Sequence, residues 1–416
     1  MDGSTALIAG GGIGGLTLAL ELHAAGIPCR VFEAAPELRP LGVGVNILPH
    51  ASAVLDGLGL TPAMAEIAIE TIESGFFNRF GQEIFTEPAG KRAGYDHAQW
   101  SVHRGDFQMM LYRTVVERLG EDAVQLDHKL IGFEQDADGV TAHFQSLATG
   151  EPLPSARGGI LVGADGIHSA VRKQLYPNEG RPRYSGIKMW RGTSVAPAFL
   201  SGATMVRAGW LQDGKLVIYP IRENVDGQGN QLVNWVAELE TDFEADRNWG
   251  ARGDLEEFIG AFEDWTFDWL DVPALIRSSE AIFEYPMVDQ DPLEQWTFGR
   301  VTLLGDAAHP MVPRGSNGAG QAILDAPVLR RFLETAASPA EALAQYEAVR
   351  LPATTAVVLK NRDTPPDAIL REVWERTDDK PFDDIGTVIS HDELVALSNS
   401  YKTVAGFAVP VGGDGE

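Results

Sequence analysis

The chain has 416 residues, 44% hydrophobic and 22% charged, a balance ordinary for a globular protein with ample core. Its 59 acidic residues against 33 basic ones give a formal net charge of −26, which repels phosphate backbones and anionic bilayers and so disfavours nucleic-acid and membrane-surface partners. Cys29 is the single cysteine, so no intramolecular disulfide forms, and none of the nine histidines stands at metal-ligand spacing from it or from another histidine; no metal is expected. With no signal-like leader and no apolar run of about 18 residues, a cytoplasmic location is expected.

Residues 6–9 are a short apolar run, the pattern of a buried parallel strand. Gly10, Gly12 and Gly15 follow as G-x-G-x-x-G, with Ile13 and Gly14 inside the motif. Gly10 permits a tight turn, Gly12 lets backbone approach a pyrophosphate, and Gly15 lets the next helix pack close to the strand. That helix, predicted over 14–25, carries Leu16, Ala19, Leu20 and Ala24 at helical spacing and offers its N-terminus to phosphate. Gly26-Ile27-Pro28 ends it. Residues 29–32 then return as a strand ending at Glu33, close to the spacing of about 20 residues at which an acid accepts from a ribose. Cys29 reads as a small core residue of this strand.

Residues 71–77 and 82–86 read as two strands joined by Asn78-Arg79-Phe80-Gly81, a hairpin signal. A helix is predicted over 106–119. Residues 159–163 form an apolar strand running into Asp165-Gly166, with Ser169 opening another helix. From 181 to 286 the chain is strand-rich and aromatic, and 187–190, 215–219 and 231–236 alternate loosely, as a sheet with one buried face would. Residues 301–305 are a further apolar strand with Asp306 at its C-terminal end, the edge where open α/β sheets bind ligands. His168 and His309 follow their acids closely and read as packing or backbone-bonding groups. The tail beyond 350 holds predicted helices at 368–376 and 391–399 and no chemical motif. No internal repeat is present.

NAD and FAD share the fingerprint at Gly10 to Gly15. The Asp165 and Asp306 segments, each setting a carboxylate beside glycine at the end of an apolar run, decide for FAD, whose ribityl hydroxyls Asp306 can hold. The predicted fold class is α/β, a Rossmann-type FAD-binding domain (1–70, 101–180 and 287–350) interleaved with a β-rich substrate-covering domain (71–100 and 181–286), then a helical C-terminal tail (351–416).

The segments 9–16, Arg39-Pro40-Leu41-Gly42-Val43-Gly44-Val45-Asn46, Ser101-Val102-His103-Arg104-Gly105-Asp106, 163–169, Lys188-Met189-Trp190-Arg191-Gly192, Tyr285-Pro286-Met287-Val288-Asp289 and 305–325 stand in one order. In that order the chain resembles the single-component FAD-dependent aromatic hydroxylases, the class of para-hydroxybenzoate and salicylate hydroxylase. Its nearest likeness is to the phenazine-modifying branch that hydroxylates 5-methylphenazine-1-carboxylate. The resemblance implies that Glu33 binds the adenosine ribose, that Arg104 approaches the FAD phosphates and ribityl chain, and that Asp306 holds the ribityl chain. Arg39 and Asp165 are counted with the cofactor positions, and Gly42-Val43-Gly44 would lie beside the isoalloxazine. Backbone N–H groups of residues 313–319, Gly318 and Ala319 among them, would face the flavin's pyrimidine edge. Relatives often read P-x-x-G-x-G there, whereas this chain has its glycines at 315, 318 and 320.

The resemblance further implies that NADH or NADPH binds transiently and reduces FAD. O2 then forms a C4a-hydroperoxyflavin that hydroxylates an aromatic or N-heteroaromatic substrate, a phenazine- or benzoate-type acid. The expected pocket residues are Trp190, Arg191, Tyr219, Trp235, Pro313 and Arg314. Arg191 and Arg314 are read either as cations for an anionic substrate or as ion-pair partners of the chain's many acids, with the nicotinamide cofactor's phosphate as a third partner for Arg314. The flavin carries the chemistry, and no histidine–glutamine pair can be placed as a base. Competing readings are a flavin reductase of isoprenoid double bonds, an NAD-dependent dehydrogenase using the first motif alone, and a non-enzymatic flavin-binding redox protein. A monomer or a homodimer suits all of them.

Overall fold

The computed structural model describes residues 5–40, 42–241 and 251–406; Leu41 of the 39–46 segment and the end of the tail lie outside them. A five-stranded parallel sheet forms the first layer, in the order Val301–Leu303, Ile160–Gly163, Ala6–Ala9, Cys29–Phe32, Val124–Gln125. Its central strands are apolar because helices cover both faces of such a sheet. Leu7, Ile8, Val31, Leu161, Val162 and Leu303 accordingly sit in one core with Leu16, Leu20, Ile323 and Leu329 of the flanking helices. Register aligns Ala9 with Phe32 and Gly163, and Gly163 with Leu303. The segments that follow these four strands therefore emerge side by side at one edge.

The second layer is an eight-stranded sheet, ordered Ala251–Arg252, Ile282–Asp289, Arg183–Ala196, Gln231–Glu240, Gly214–Arg222, Thr204–Trp210, Glu73–Phe77, Glu83–Pro88. The hairpin expected over 71–86 is its outer pair, and Glu73–Phe77 joins Thr204–Trp210 in parallel, the one parallel pairing of this sheet among the described residues. Strand alternation divides the sheet's residues between two cores. On the outer face Trp190, Trp235, Ala208, Leu216 and Ile218 pack with Phe258, Phe262 and Trp265. On the inner face Ile187, Met189, Val236 and Met287 pack against Val312, which precedes the helix Gly318–Thr335.

The tail is helical as expected, with Ala368–Thr377 and His391–Ala405. Ser390 and Glu393 form a reciprocal cap that starts the last helix. The tail does not begin at 351, however. The helix Pro339–Asp363 runs through that point with Pro352 inside it; a proline there removes one backbone hydrogen bond, a cost the surrounding packing absorbs. Ile369, Leu370, Val373 and Leu394 then bury Phe76, Ile84 and Phe85 of the hairpin. Beside this contact is a buried ionic cluster. Lys215 reaches both Glu238, at 3.1 Å, and Asp367, and Arg207 reaches Asp367 at 3.2 Å. Among the described residues no helix is long and apolar enough to cross a membrane.

Candidate cofactor and substrate site

The glycine turn after the first strand is shaped by contact. Gly10 has φ 108°, and a Cβ there would lie 2.3 Å from the Ala164 carbonyl oxygen; only glycine accepts both conditions. A Cβ on Gly15 would lie 2.1 Å from the Gly10 oxygen, and one on Gly14 would lie 2.7 Å from Leu304 Cδ2, so both serve close packing of the helix Ile13–Ala24. Ile13 itself is buried in the core. Gly12 differs: nothing stands within 4 Å of its Cβ position. The unpaired N–H groups of this helix end thus look into open space, the arrangement that takes a phosphate.

Glu33 is held beside that turn. Its carboxylate accepts from Gly11 N–H at 2.7 Å and from Ala35 N–H at 2.8 Å. A carboxylate offers about four lone-pair sites, so two remain for ribose hydroxyls. Across the opening, Arg104 begins the helix Arg104–Leu119, its N–H donating to Val43 O at 2.9 Å and its side chain exposed. Gly42 lies against it, a Cβ there standing 3.8 Å from Arg104 Cβ, and the Gly42 carbonyl is bonded by His103 Nε2 at 3.0 Å.

Asp306 completes this group. Its side chain is exposed within the otherwise buried turn 303–309. Surrounding protein pushes its carboxyl above the ordinary range, although the charges of His309 and Arg104 oppose the shift. An acid that water reaches but protein encloses lies in a recess. The recess is the mouth of the helix Gly318–Thr335, since a Cβ on Gly318 would be 4.0 Å from Asp306 Oδ1. A network beneath holds the turn. Buried Asp325 accepts from Gly305 N–H at 2.9 Å, from His309 Nε2 at 2.7 Å and from Arg350 Nε at 2.7 Å. Burial would raise the Asp325 carboxyl, but His309 and Arg350 outweigh it and keep it low. No spacing rule in the sequence joins residues 305, 309, 325 and 350, so this support was not foreseen.

These contacts link the glycine turn with Glu33, Gly42 with Arg104, Arg104 with Asp306, and Asp306 with Gly318, whereas the side chains of two expected cofactor residues are engaged elsewhere. Asp165 accepts from Ser169 Oγ, from Ala170 N–H at 2.7 Å and from Val171 N–H at 3.3 Å. Its carboxylate is turned into capping the helix Ala170–Leu175, and only its backbone underlies Gly10. Arg39 is 65% exposed and paired with Glu37 at 2.7 Å on the surface. An open helix N-terminus, a carboxylate with unused lone pairs, an exposed arginine and a recessed acid fit FAD on these residues alone.

The pocket expectation needs a larger correction. Trp190 stacks on Phe258 at 4.7 Å and Trp235 donates to Ser279 Oγ at 2.7 Å, both on the outer face, away from the cleft. Alternation explains the error: Trp190 and Arg191 face opposite ways, and residues 190, 192 and 235 share one side. The inner face presents Arg191, Tyr219, Asn234, Met189 and Val236 instead. Gly44 N–H donates to Asn234 Oδ1 at 2.7 Å, Arg191 Nη2 donates to Gly44 O at 2.7 Å, and Tyr219 packs on Gly44 and bonds Arg191. Asn234 was missed, yet it follows from fixing Arg191 inward, because Val236 lies opposite Arg191 in register and Asn234 is two residues on. At the loop, Pro313 is exposed, while Arg314 Nε and Nη2 are buried with no acceptor. Among the described residues no group of three or more His, Cys, Asp or Glu suits a metal.

Comparison with known proteins matches residues 4–240 and 271–361 to the FAD binding domain family. A phenazine 1,6-dicarboxylic acid hydroxylase of Lysobacter antibioticus is 43% identical over 402 residues, covering 96% of each chain. A 3-amino-4-hydroxybenzoate 2-monooxygenase of Streptomyces platensis is 35% identical over 364 residues, 86% of each. Klebsiella pneumoniae HpxO, crystallised with FAD and uric acid, shares the fold with a TM-score of 0.76 at 24% identity, over 98% of each chain.

Proposed function

The chain belongs to the FAD-binding-domain family and is an FAD-dependent aromatic hydroxylase; on that premise we propose that its substrate is an aromatic or N-heteroaromatic acid of phenazine or benzoate type, with NADH or NADPH as reductant and O2 as co-substrate. The observation that carries the acid is Arg314. Its Nε and Nη2 are enclosed at this loop without a hydrogen-bond acceptor; the charge of buried Asp367 acts on it but makes no hydrogen bond to those two atoms, and the chain's net charge of −26 otherwise disfavours an anion. A buried guanidinium N–H left unsatisfied is costly, and a substrate carboxylate relieves that cost bidentately after a small side-chain turn. Arg191 is bonded to Gly44 O and Tyr219 and leaves only its Nε without an acceptor, so its first role is to hold the glycine loop against the sheet. The first relative's substrate, a phenazine dicarboxylic acid, supports the same class.

Bound FAD supplies the electron transfer and oxygen activation. The chain's own residues bind and enclose. Gly12 and the helix end behind it take the pyrophosphate, Glu33 the adenosine ribose, Arg104 the phosphates, and Asp306 the ribityl chain. Ile187, Met189, Val236, Met287 and Val312 form the apolar wall that keeps water from the reacting ring. With its true substrate, the enzyme is expected to consume one NAD(P)H and one O2 per hydroxylated product, whereas a loosely fitting ring will release hydrogen peroxide. NAD(P)H loss, product and peroxide measured in parallel under air and under nitrogen test this; product made without O2 ends the monooxygenase reading.

The acid preference has its own test. Arg314→Gln is expected to lower kcat/KM for the acid by about ten- to hundredfold, the cost of about 1.5–3 kcal/mol for a lost charged hydrogen bond, while changing the amide little. Arg191→Gln should lower both alike. Equal losses for acid and amide in Arg314→Gln would remove it from substrate recognition.

A further inference from the structure

The loop entering the helix Gly318–Thr335 has two consecutive left-handed residues, Gly315 at φ 72° and Ser316 at φ 56°. Serine rarely adopts that conformation, so something must hold it there. The hold comes from the far end of the chain. Tyr401, on the helix His391–Ala405, is 2% exposed. Its hydroxyl donates to Asn361 Oδ1 at 2.8 Å and accepts from Asn317 Nδ2 at 3.0 Å. The Arg314 carbonyl is 3.5 Å from the same hydroxyl, and a Cβ on Gly315 would stand 1.9 Å from it, so ring and loop interlock. Asn361 Nδ2 in turn donates to Val312 O at 3.3 Å, and Gln321 Nε2 reaches Ala405 O at 3.4 Å. The last helix thereby grips the loop from Val312 to Asn317.

We propose that Tyr401 is a positioning residue for the cofactor: through Asn317 and Asn361 it fixes the loop that aims the Gly318 and Ala319 amides at the flavin. This rests on the reading that those amides face the flavin. The tail, empty of motifs in the sequence, is then part of the cofactor site without touching it. A packing role alone predicts a loss of stability with no change in flavin binding.

Tyr401→Phe keeps the ring and removes only the hydroxyl. The FAD dissociation constant, from fluorescence-quenching titration of the apoprotein, is expected to rise about tenfold. Hydrogen exchange across 313–318 in the FAD-loaded protein should quicken, with the apoprotein's thermal midpoint near that of the parent. Unchanged affinity and exchange overturn the proposal, as does an apoprotein destabilised as much as the holoprotein. Asn361→Leu, close in size to asparagine, removes the hydroxyl's acceptor from the opposite side and should give the same pair of changes if Tyr401→Phe does not fold. Asp306→Ala separates the two readings. If it weakens FAD and Tyr401→Phe does not, the cleft stands and Tyr401's role falls; if neither weakens FAD, the cleft itself is misassigned.

Discussion

Asp306→Ala is expected to purify largely without flavin. The side chain is held in a recess by the turn that Asp325 fixes, and it accepts no hydrogen bond from a described residue, so its loss leaves the fold's own bonds intact. Loss of a charged hydrogen bond costs about 1.5–3 kcal/mol, hence roughly ten- to hundredfold in FAD affinity. Titration of the apoprotein with FAD measures it. A folded variant with the parent's dissociation constant would take Asp306 out of the site.

Lys215→Met is expected to be the most destabilising single change among the charged residues considered. Lys215 is 1% exposed and bonded to two carboxylates, Glu238 and Asp367. Removing it leaves the Glu238 and Asp367 carboxylates buried, with Arg207 and Arg314 the remaining cations that act on Asp367, a loss of about 3–5 kcal/mol. The thermal midpoint of FAD-saturated protein should fall accordingly, with FAD held in excess so that ligand linkage is constant. A loss below about 1 kcal/mol would mean that the carboxylates find other partners. Burial raises the Asp367 carboxyl, but Lys215 and Arg207 hold it below its ordinary value. Its contribution is therefore complete above the unfolded value of about 3.9 and is lost as pH falls through the lower folded value.

The cofactor edge was legible because its signals are local. Gly10, Gly12, Glu33 and Asp306 each follow an apolar strand within a few residues, and the parallel register does the rest. The substrate face was not legible in the same way. Alternation states that Trp190 and Arg191 diverge, but not which of them looks inward; that depends on what packs outside, and Phe258, Phe262 and Trp265 claimed the tryptophans. Asp165 misled for a related reason. A carboxylate beside glycine at a strand's end can cap the next helix as well as bind a ligand, and Ser169 and Ala170 stood close enough to take it. The tail's part was hidden by distance, since Tyr401 and Asn317 have nothing in sequence to relate them.

The parallel pairing of Glu73–Phe77 with Thr204–Trp210 bears on how the chain is made. Glu73 bonds Thr204 Oγ1 across 131 positions, so on a ribosome the hairpin waits, one edge bare, until that later strand emerges. Its opposite flank, Phe76 and Phe85, stays uncovered longer still, until the residues around Ile369 arrive. Long-range parallel contacts form slowly, and bare strand edges invite pairing with other chains. Nascent or truncated forms that end before Thr204 are thus expected to be the aggregation-prone ones.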